Sequence, residues 1–400
     1  MNQIVEKATV FQGELESIRQ ALHMIPEIGV DLPLTTKYVK EKLEEMGYQP
    51  TEICQSGLVV VIGGKKPGKN VLLRADMDGL PLKDETTLEY KSTNDNMHAC
   101  GHDLHTTMLL GVAMLLKDCQ DDLEGSIKLM FQPGEETLEG AKMMIESGVL
   151  DNPKVDAAVS LHVFSGMPLP SGMFMLPKGG ASTAASDGFE IVVHGKGGHG
   201  AMPNTAIDPL NVISHIHLAL QTINSREIDP NDGAVVTAGI IEGGSAHNII
   251  PDKARMAGSI RTFSKQNREM IPKRVIEISK NIAETFRATA DVNIIEGCPS
   301  TVNDEEVSTI AKQALYGAFN KEIILDMGSI IPNGGKMMGS EDFSFVSQEV
   351  PSIMMGLSAG NSNEGYVYPM HHPKVKFDEK TLSLGAAGLT SIALKMLKEY

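Results

Sequence analysis

Four hundred residues exceed what one ordinary core fills, so two domains, or one domain carrying a large insertion, are expected. Thirty-five basic against 51 acidic residues leave a formal net charge of −16, which argues against nucleic acid and anionic membranes as partners but leaves room for small anionic substrates. With 42% apolar residues, no apolar run near the roughly twenty residues of a membrane span, and no signal-peptide core in Met1-Asn2-Gln3-Ile4-Val5-Glu6-Lys7, a soluble cytoplasmic protein is expected, its four scattered cysteines (Cys54, Cys100, Cys119, Cys298) free thiols.

Ile4, Val5, Ala8, Phe11, Leu15, Ile18 and Leu22 recur at helical spacing and predict a helix that stops before Pro26. A second helix follows Thr35 and ends at Gly47. Strand-length apolar runs come next, 58–62 before Gly63-Gly64 and 71–75 running into Asp76-Met77-Asp78. Residues 98–105 then gather His98, Cys100, His102 and His105 into eight positions. Asp103 is placed there as the N-cap of a helix carrying Leu104, Met108, Leu109, Val112, Leu115 and Leu116. A third strand, 127–131, leads to Pro133-Gly134-Glu135-Glu136. A helix near 139–147 precedes a fourth strand, 155–161, expected to end at His162.

From Asp187 the texture changes. A strand at 188–194, a loop rich in glycine around His199, a helix at 209–223, strands at 234–242 and 254–263, a helix at 267–287 and a strand at 290–295 give the order β-α-β-β-α-β of a ferredoxin-like unit. The expected division is a first domain built from 1–186 and 297–400, with 187–296 inserted. After Asp304 come a helix at 305–319, a short strand near 323–325, a polar loop at 339–343, a strand at 353–357, Met370-His371-His372-Pro373 and a closing helix at 379–398. The fold class expected is α/β: a mixed sheet with helices on both faces, plus the inserted α+β domain.

Three buried-looking strands end in polar groups: Asp76, the Glu135-Glu136 pair and His162. In open α/β sheets the site lies outside the carboxyl ends of the strands, so these segments are expected to converge. Cys100, His102, Glu136, His162 and His371 are five metal-ligand types from four segments. That is more than one ion needs, and it fits two metals sharing a ligand and a water, an arrangement that acidifies the water and polarises a carbonyl. Adjacent side chains on extended backbone diverge, so Glu135 is assigned as general base and Glu136 as ligand. Against this stand a solvated acidic loop for the glutamates and plain packing for the Cys-Gly-His tripeptide.

The ordered motifs Leu22-His23-xx-Pro26-Glu27, Arg74-Ala75-Asp76-Met77-Asp78, 98–105, Gln132-Pro133-Gly134-Glu135-Glu136 and Leu161-His162 run on through Gly198-His199-Gly200-Ala201, His247-Asn248-Ile249-Ile250-Pro251, Arg261-Thr262-Phe263 and 339–343. Over almost the whole chain they resemble the metal-dependent aminoacylase and carboxypeptidase superfamily. Within it the resemblance is to the amidohydrolase branch of hippurate hydrolases, indoleacetyl-amino acid hydrolases and N-acetyl-diaminopimelate deacetylases. The resemblance implies two divalent metals, zinc or manganese with nickel or cobalt as alternatives, bridged by Cys100 and held by His102, Glu136, His162 and His371. It implies that Glu135 deprotonates the water and that the inserted domain is a lid and homodimer module. His199 would stabilise the oxyanion, reaching into the cleft of a partner subunit, while Asn248 and Arg261 hold the substrate, the Arg fork suiting a carboxylate. Edge strands in such an insertion also favour a dimer.

Asp76, Asp78 and Asp103 are expected behind the ligands, orienting them. Two departures stand out: Leu32 occupies the place, three before Thr35, where the family usually has an acid, and His372 follows His371 as a fallback ligand. The function expected is two-metal hydrolysis of N-acyl amino acids. Its rivals are a dipeptidase or carboxypeptidase on the same site, a thiol hydrolase with Cys100 as nucleophile, and a non-catalytic metal-stabilised binding protein.

Overall fold

The computed structural model describes residues 3–330 and 335–400. The chain forms two compact units. The first runs to Ser182 and takes up again at Thr301 and at Glu341; the second comprises Thr183–Ser300 with Lys336–Ser340.

The first unit is built on an eight-stranded mixed sheet. Its order is Thr51–Cys54, Gly57–Gly63, Glu124–Gln132, Lys66–Asp76, Ala157–Phe164, Ser352–Ser358, Phe174–Leu176 and Ile324–Asp326. The four central strands, Glu124–Gln132 through Ser352–Ser358, are mutually parallel, and they read as continuous apolar runs because both faces are covered. On one face lie helices His102–Leu116 and Thr381–Glu399. Every residue of His102–Leu116 is buried, so its apolar character runs all the way round. On the other face, helices Gly140–Glu146 and Phe343–Glu349 join Val59, Leu72, Met130 and Ala158 in a smaller apolar cluster.

Local readings differ in three places. The first expected helix is two, Gln3–Val10 and Gln12–His23. The strand expected to stop before His162 runs to Phe164, because Val163 and Phe164 stay paired with Leu357 and Ser358, so His162 projects from within a strand. Strands Thr51–Cys54 and Phe174–Leu176 are too short, at four and three residues, to be read from pattern. Leu32, the departure from the family acid, is fully buried in the core; the amides of Leu34 and Thr35 are instead capped by the Glu27 carboxylate.

The second unit is a four-stranded antiparallel sheet, ordered Ala234–Gly243, Lys253–Thr262, Ala185–His194 and Thr289–Cys298, with helices Pro209–Thr222 and Lys265–Thr285. The order of connection is the ferredoxin-like one. Ala185–His194 alternates strictly, its inward side chains including Phe189, Ile191 and Val193. Asp208 and Ser264 cap the two helices through their side chains. This unit is wider than the 187–296 expected, and it also takes in Lys336–Ser340, since the Ala184 amide donates to the carbonyls of Met337 and Gly339. Among the described residues no helix is long and apolar enough to cross a membrane.

Candidate active site and metal centre

Parallel register explains why distant segments meet. Asp76 stands opposite Gln132, and Arg74 opposite Ser160, so the loops after these strands all leave the same edge of the sheet. Beyond Gln132 the chain turns through Pro133 and Gly134, and the amides of Glu135 and Glu136 both donate to Asp78, at 3.1 Å each. Cys100 and His102 flank Gly101, whose φ is +89°, and a Cβ there would lie 2.4 Å from Val163 Cγ2; only glycine fits. Gly101 therefore precedes the helix and His102 opens it. Asp103 is not the N-cap expected: it sits one residue inside, and its carboxylate is taken by Arg19 Nε at 2.8 Å and His23 Nδ1 at 2.7 Å. His371 arrives on a loop with φ +63°, a left-handed strain rare outside glycine, pinned by its amide to Ala99 O at 2.9 Å.

Among the described residues the ligand-type atoms form five clusters: Glu135 belongs to two, with His102 and Glu136 and with Glu341 and Asp342, and two others share one sulfur. Cys100, His102 and His162 form one, and Cys100, Glu136 and His371 the other, the atoms of each lying within 4.8 Å of one another. Cys100 Sγ is 3.5 Å from His162 Nε2 and 3.3 Å from His371 Nε2, and His371 Nε2 is 3.5 Å from Glu136 Oε1. His102 Nε2 lies 4.0 Å from Glu136 Oε1 and 3.9 Å from Glu135 Oε2, with its Nδ1 3.3 Å from Asp78. His102 Nε2 and Glu136 Oε1 are buried and make no hydrogen bond among the described residues. Buried polar atoms left unpaired are costly, and a soft thiolate, imidazoles and a carboxylate are what divalent zinc or its neighbours take. The donor set fits divalent metal. His372 is turned away: its ring stacks on Tyr368 and its Nδ1 accepts from the Lys374 amide.

Electrostatics point the same way. Burial pushes the Cys100 thiol up, and a bound cation is the kind of neighbour that favours its thiolate form. Burial, followed by Glu341 and Asp342, drives Glu135 well above the usual carboxylate range. Glu136 also moves up, chiefly by burial. Burial opposes charge on His102, yet Asp76 and Cys100 outweigh it and its value rises.

Three residues given no role from the sequence, Val163, His105 and Arg74, hold this set in place. The Val163 amide donates to His105 Nε2 at 2.8 Å, so the His105 proton is on Nδ1, which donates to Asp76 at 2.6 Å. His162 Nδ1 donates to Val163 O at 2.7 Å, leaving its Nε2 lone pair toward Cys100. Metal-ligating histidines commonly have a second partner of this kind. Arg74, buried, donates to Gln132, Asp76, Glu341 and Asp342. A basic residue inside an otherwise apolar strand was the available signal. Asp78 lies 3.3 Å from His102 Nδ1 and Asp76 3.7 Å from its Nε2, whereas Asp103 touches Arg19 and His23.

His199, Asn248 and Arg261 belong to the second unit. His199 lies exposed in the pair Gly198–His199 with Ile249–Ile250, beside Asn248, whose carbonyl accepts from the Gly200 amide. Arg261 donates to Ser340 Oγ.

Residues 72–395 match the sequence profile of Peptidase family M20/M25/M40. The chain belongs to this family. It is 39% identical to a hippurate hydrolase of Campylobacter jejuni over 393 residues, 97% of each chain. It is likewise 39% identical to thermostable carboxypeptidase 1 of Saccharolobus solfataricus over 402 residues, 98% of each. The crystal structure of a dinuclear metal binding M20 peptidase from Bacillus subtilis superposes with a TM-score of 0.82 at 29% identity, covering 98% of this chain and 100% of that one. The M20 chain described here is thus a hydrolase of the amidohydrolase branch, with divalent metals at its centre.

Proposed function

We propose that this M20 hydrolase cleaves the amide of N-acyl amino acids, releasing a carboxylic acid and a free amino acid. The observation that carries the reading is the pair of candidate ligand groups sharing Cys100, with the buried Glu135 beside Glu136. Cys100, His102 and His162 would hold one divalent ion and Cys100, Glu136 and His371 the other. When bound, such ions acidify a water and polarise an amide carbonyl. Glu135 takes the proton of the attacking water as its oxygen bonds the carbonyl carbon, then delivers that proton to the amine nitrogen as the C–N bond breaks. The family resemblance gives His199 the oxyanion and gives Asn248 and Arg261 the substrate carboxylate. The second unit serves in this reading as lid and homodimer surface, its edge strand Ala234–Gly243 exposing Ile240 and Ile241.

The identity to a hippurate hydrolase supports this substrate class. An equal identity to a carboxypeptidase keeps one second reading, release of a C-terminal residue from short peptides. The test is amine release from N-acetyl, N-benzoyl and N-succinyl amino acids and from dipeptides, by metal-free protein reloaded with zinc, manganese, cobalt or nickel. Metal-dependent release from acyl amino acids is expected, and Glu135→Gln is expected to lower kcat by about 10²–10⁴-fold with metal retained. Peptides turned over far faster than every acyl amino acid select the carboxypeptidase reading. An unchanged rate in Glu135→Gln removes the base.

A further inference from the structure

Glu135 and Glu136 sit on a loop between two fixed points, Gln132 at the end of a strand and Ala141 in the first turn of helix Gly140–Glu146. A single carboxylate, from a segment about two hundred positions further along, holds both points. Asp342 Oδ2 accepts from the Ala141 amide at 2.8 Å and from Gln132 Nε2 at 2.8 Å. Its Oδ1 accepts from Gln132 Nε2 and from Arg74 Nη2, each at 2.8 Å. Asp342 is fully buried, and its oxygens make no hydrogen bond to either glutamate side chain. Its neighbour Glu341 has a different task, accepting from Arg74 and from the Phe343 amide.

We propose that Asp342 is a positioning residue for hydrolysis: it staples the two feet of the loop and so fixes where Glu135 and Glu136 point. The proposal rests on the roles given to those glutamates above. The loop has little slack of its own. At Gly140 a Cβ would fall 1.6 Å from Pro133 O, so the feet already touch, and the Gly140 amide closes on Gly134 O at 3.1 Å. Asp78 tethers the inside of the loop through the Glu135 and Glu136 amides, while Asp342 tethers its ends. Releasing the ends lets the base drift from its attack position, and a displacement near 1 Å lowers the rate about 100-fold.

All the Asp342 contacts are acceptances, which allows a swap. Asp342→Asn turns one acceptor into a donor facing the Gln132 amide or the Ala141 N–H. Gln132→Glu sets two carboxylates against each other. Together they re-pair the loop's feet: the new carboxylate at 132 accepts from the new amide at 342 and still accepts from Arg74 Nε, the remaining oxygen at 342 serves the Ala141 amide, and Arg74 Nη2 gives up its bond to 342 and keeps the one to Glu341.

The experiment measures kcat, KM, and hydrogen exchange of the Ala141 amide and of 133–140 in the two single variants and the double. Each single is expected to lose about 10- to 100-fold in kcat with KM within about twofold, and to exchange faster at the loop; the double is expected to recover most of both, short of the Arg74 bond that it does not restore. Multiplied losses in the double, or exchange unchanged in Asp342→Asn, overturn the staple. So does faster exchange with undiminished kcat. Should Asp342→Asn not fold, Gln132→Met keeps the carboxylate on Arg74 and Ala141 and is expected to show the same two changes more weakly; neither change appearing overturns it. A failure of the functional reading looks different: Glu135→Gln keeps full activity while the loop still responds to the swap.

Discussion

The two units of this chain treat buried charge in opposite ways. In the first, Arg19, Arg74, Lys128, Asp76, Asp78, Asp84, Asp103, Glu135, Glu341 and Asp342 are all buried, together with four histidines. In the second, the core is apolar (Phe189, Ile191, Val193, Val212, Ile213, Met256), and Asp187 with its partner Arg268 is the conspicuous exception among the described residues. Taking ions out of water costs several kcal/mol each, recovered only with near-ideal partners. Stability alone is served by the second solution. The first is what a centre needs when ligand rings and a base must be held rigidly at the end of a sheet.

Arg74→Met tests this most severely. It leaves Asp76, Glu341 and Asp342 without their shared cation, which also holds a value above its ordinary one despite burial. A loss of about 3–5 kcal/mol in urea unfolding is expected, because the survivors are uncompensated charges. Arg268→Met in the second unit, where the guanidinium is one-fifth exposed, is expected to cost about 1–3 kcal/mol. Equal losses would dissolve the contrast.

Asp84→Asn adds a pH signature. Asp84 bonds His23 and the amides of Thr86 and Ser92, and these outweigh burial to bring its value down to about 2. A carboxylate depressed in the folded state contributes stability above its unfolded value near 4 and loses it as pH falls through the folded one. His23 is shifted up by Asp103 and Asp84 against burial and Arg19, so its share is present at low pH and fades as pH climbs through the raised value. The variant is therefore expected to lose on the order of 2 kcal/mol between these limits and to converge on the parent near pH 2, read from urea midpoints across pH.

The same physics decides which features were legible in the sequence. Strands 71–75 and 127–131 announced themselves because a central parallel strand is apolar on both faces, and the ends Asp76 and Glu135-Glu136 then located the site. The ferredoxin-like order was readable because Ala185–His194 alternates and both helices carry periodic faces. The supports were not readable: that Asp342 reaches Gln132, or that Val163 bridges His105 and His162, depends on which strands neighbour each other, and that register is written in no local pattern. Asp103 misled for a related reason. As an acid before an apolar run it is a good cap by rule, yet Gly101 takes the cap position two residues earlier, and Arg19 and His23 claim the carboxylate.

Lys128 extends the comparison to a group away from the reaction. Its stem is buried in a central strand, burial lowers its value, and its amine donates to the carbonyls of Val149, Asp151 and Pro153 at 2.8, 2.6 and 2.9 Å. Lys128→Met is expected to cost about 1–3 kcal/mol by stranding those carbonyls, and to speed amide exchange over 149–153 while leaving kcat unchanged. A drop in kcat matching that of the staple variants would mean that distance from the ligands is no guide to function here.

The smallest effect is expected where charge is solvated. In the second unit Arg255 donates to Glu190 and, at 2.8 Å, to Glu242, with all three side chains at least a third exposed. Such pairs give up side-chain freedom for an attraction that water and salt screen, and most contribute little. Arg255→Gln is expected to unfold at the parent's urea midpoint in low and high salt alike. A loss comparable to that of Arg268→Met would show that ion pairing on this sheet is structural even in water. The contrast between the units would then be one of chemistry at the sheet's end, and no longer one of how each unit is held together.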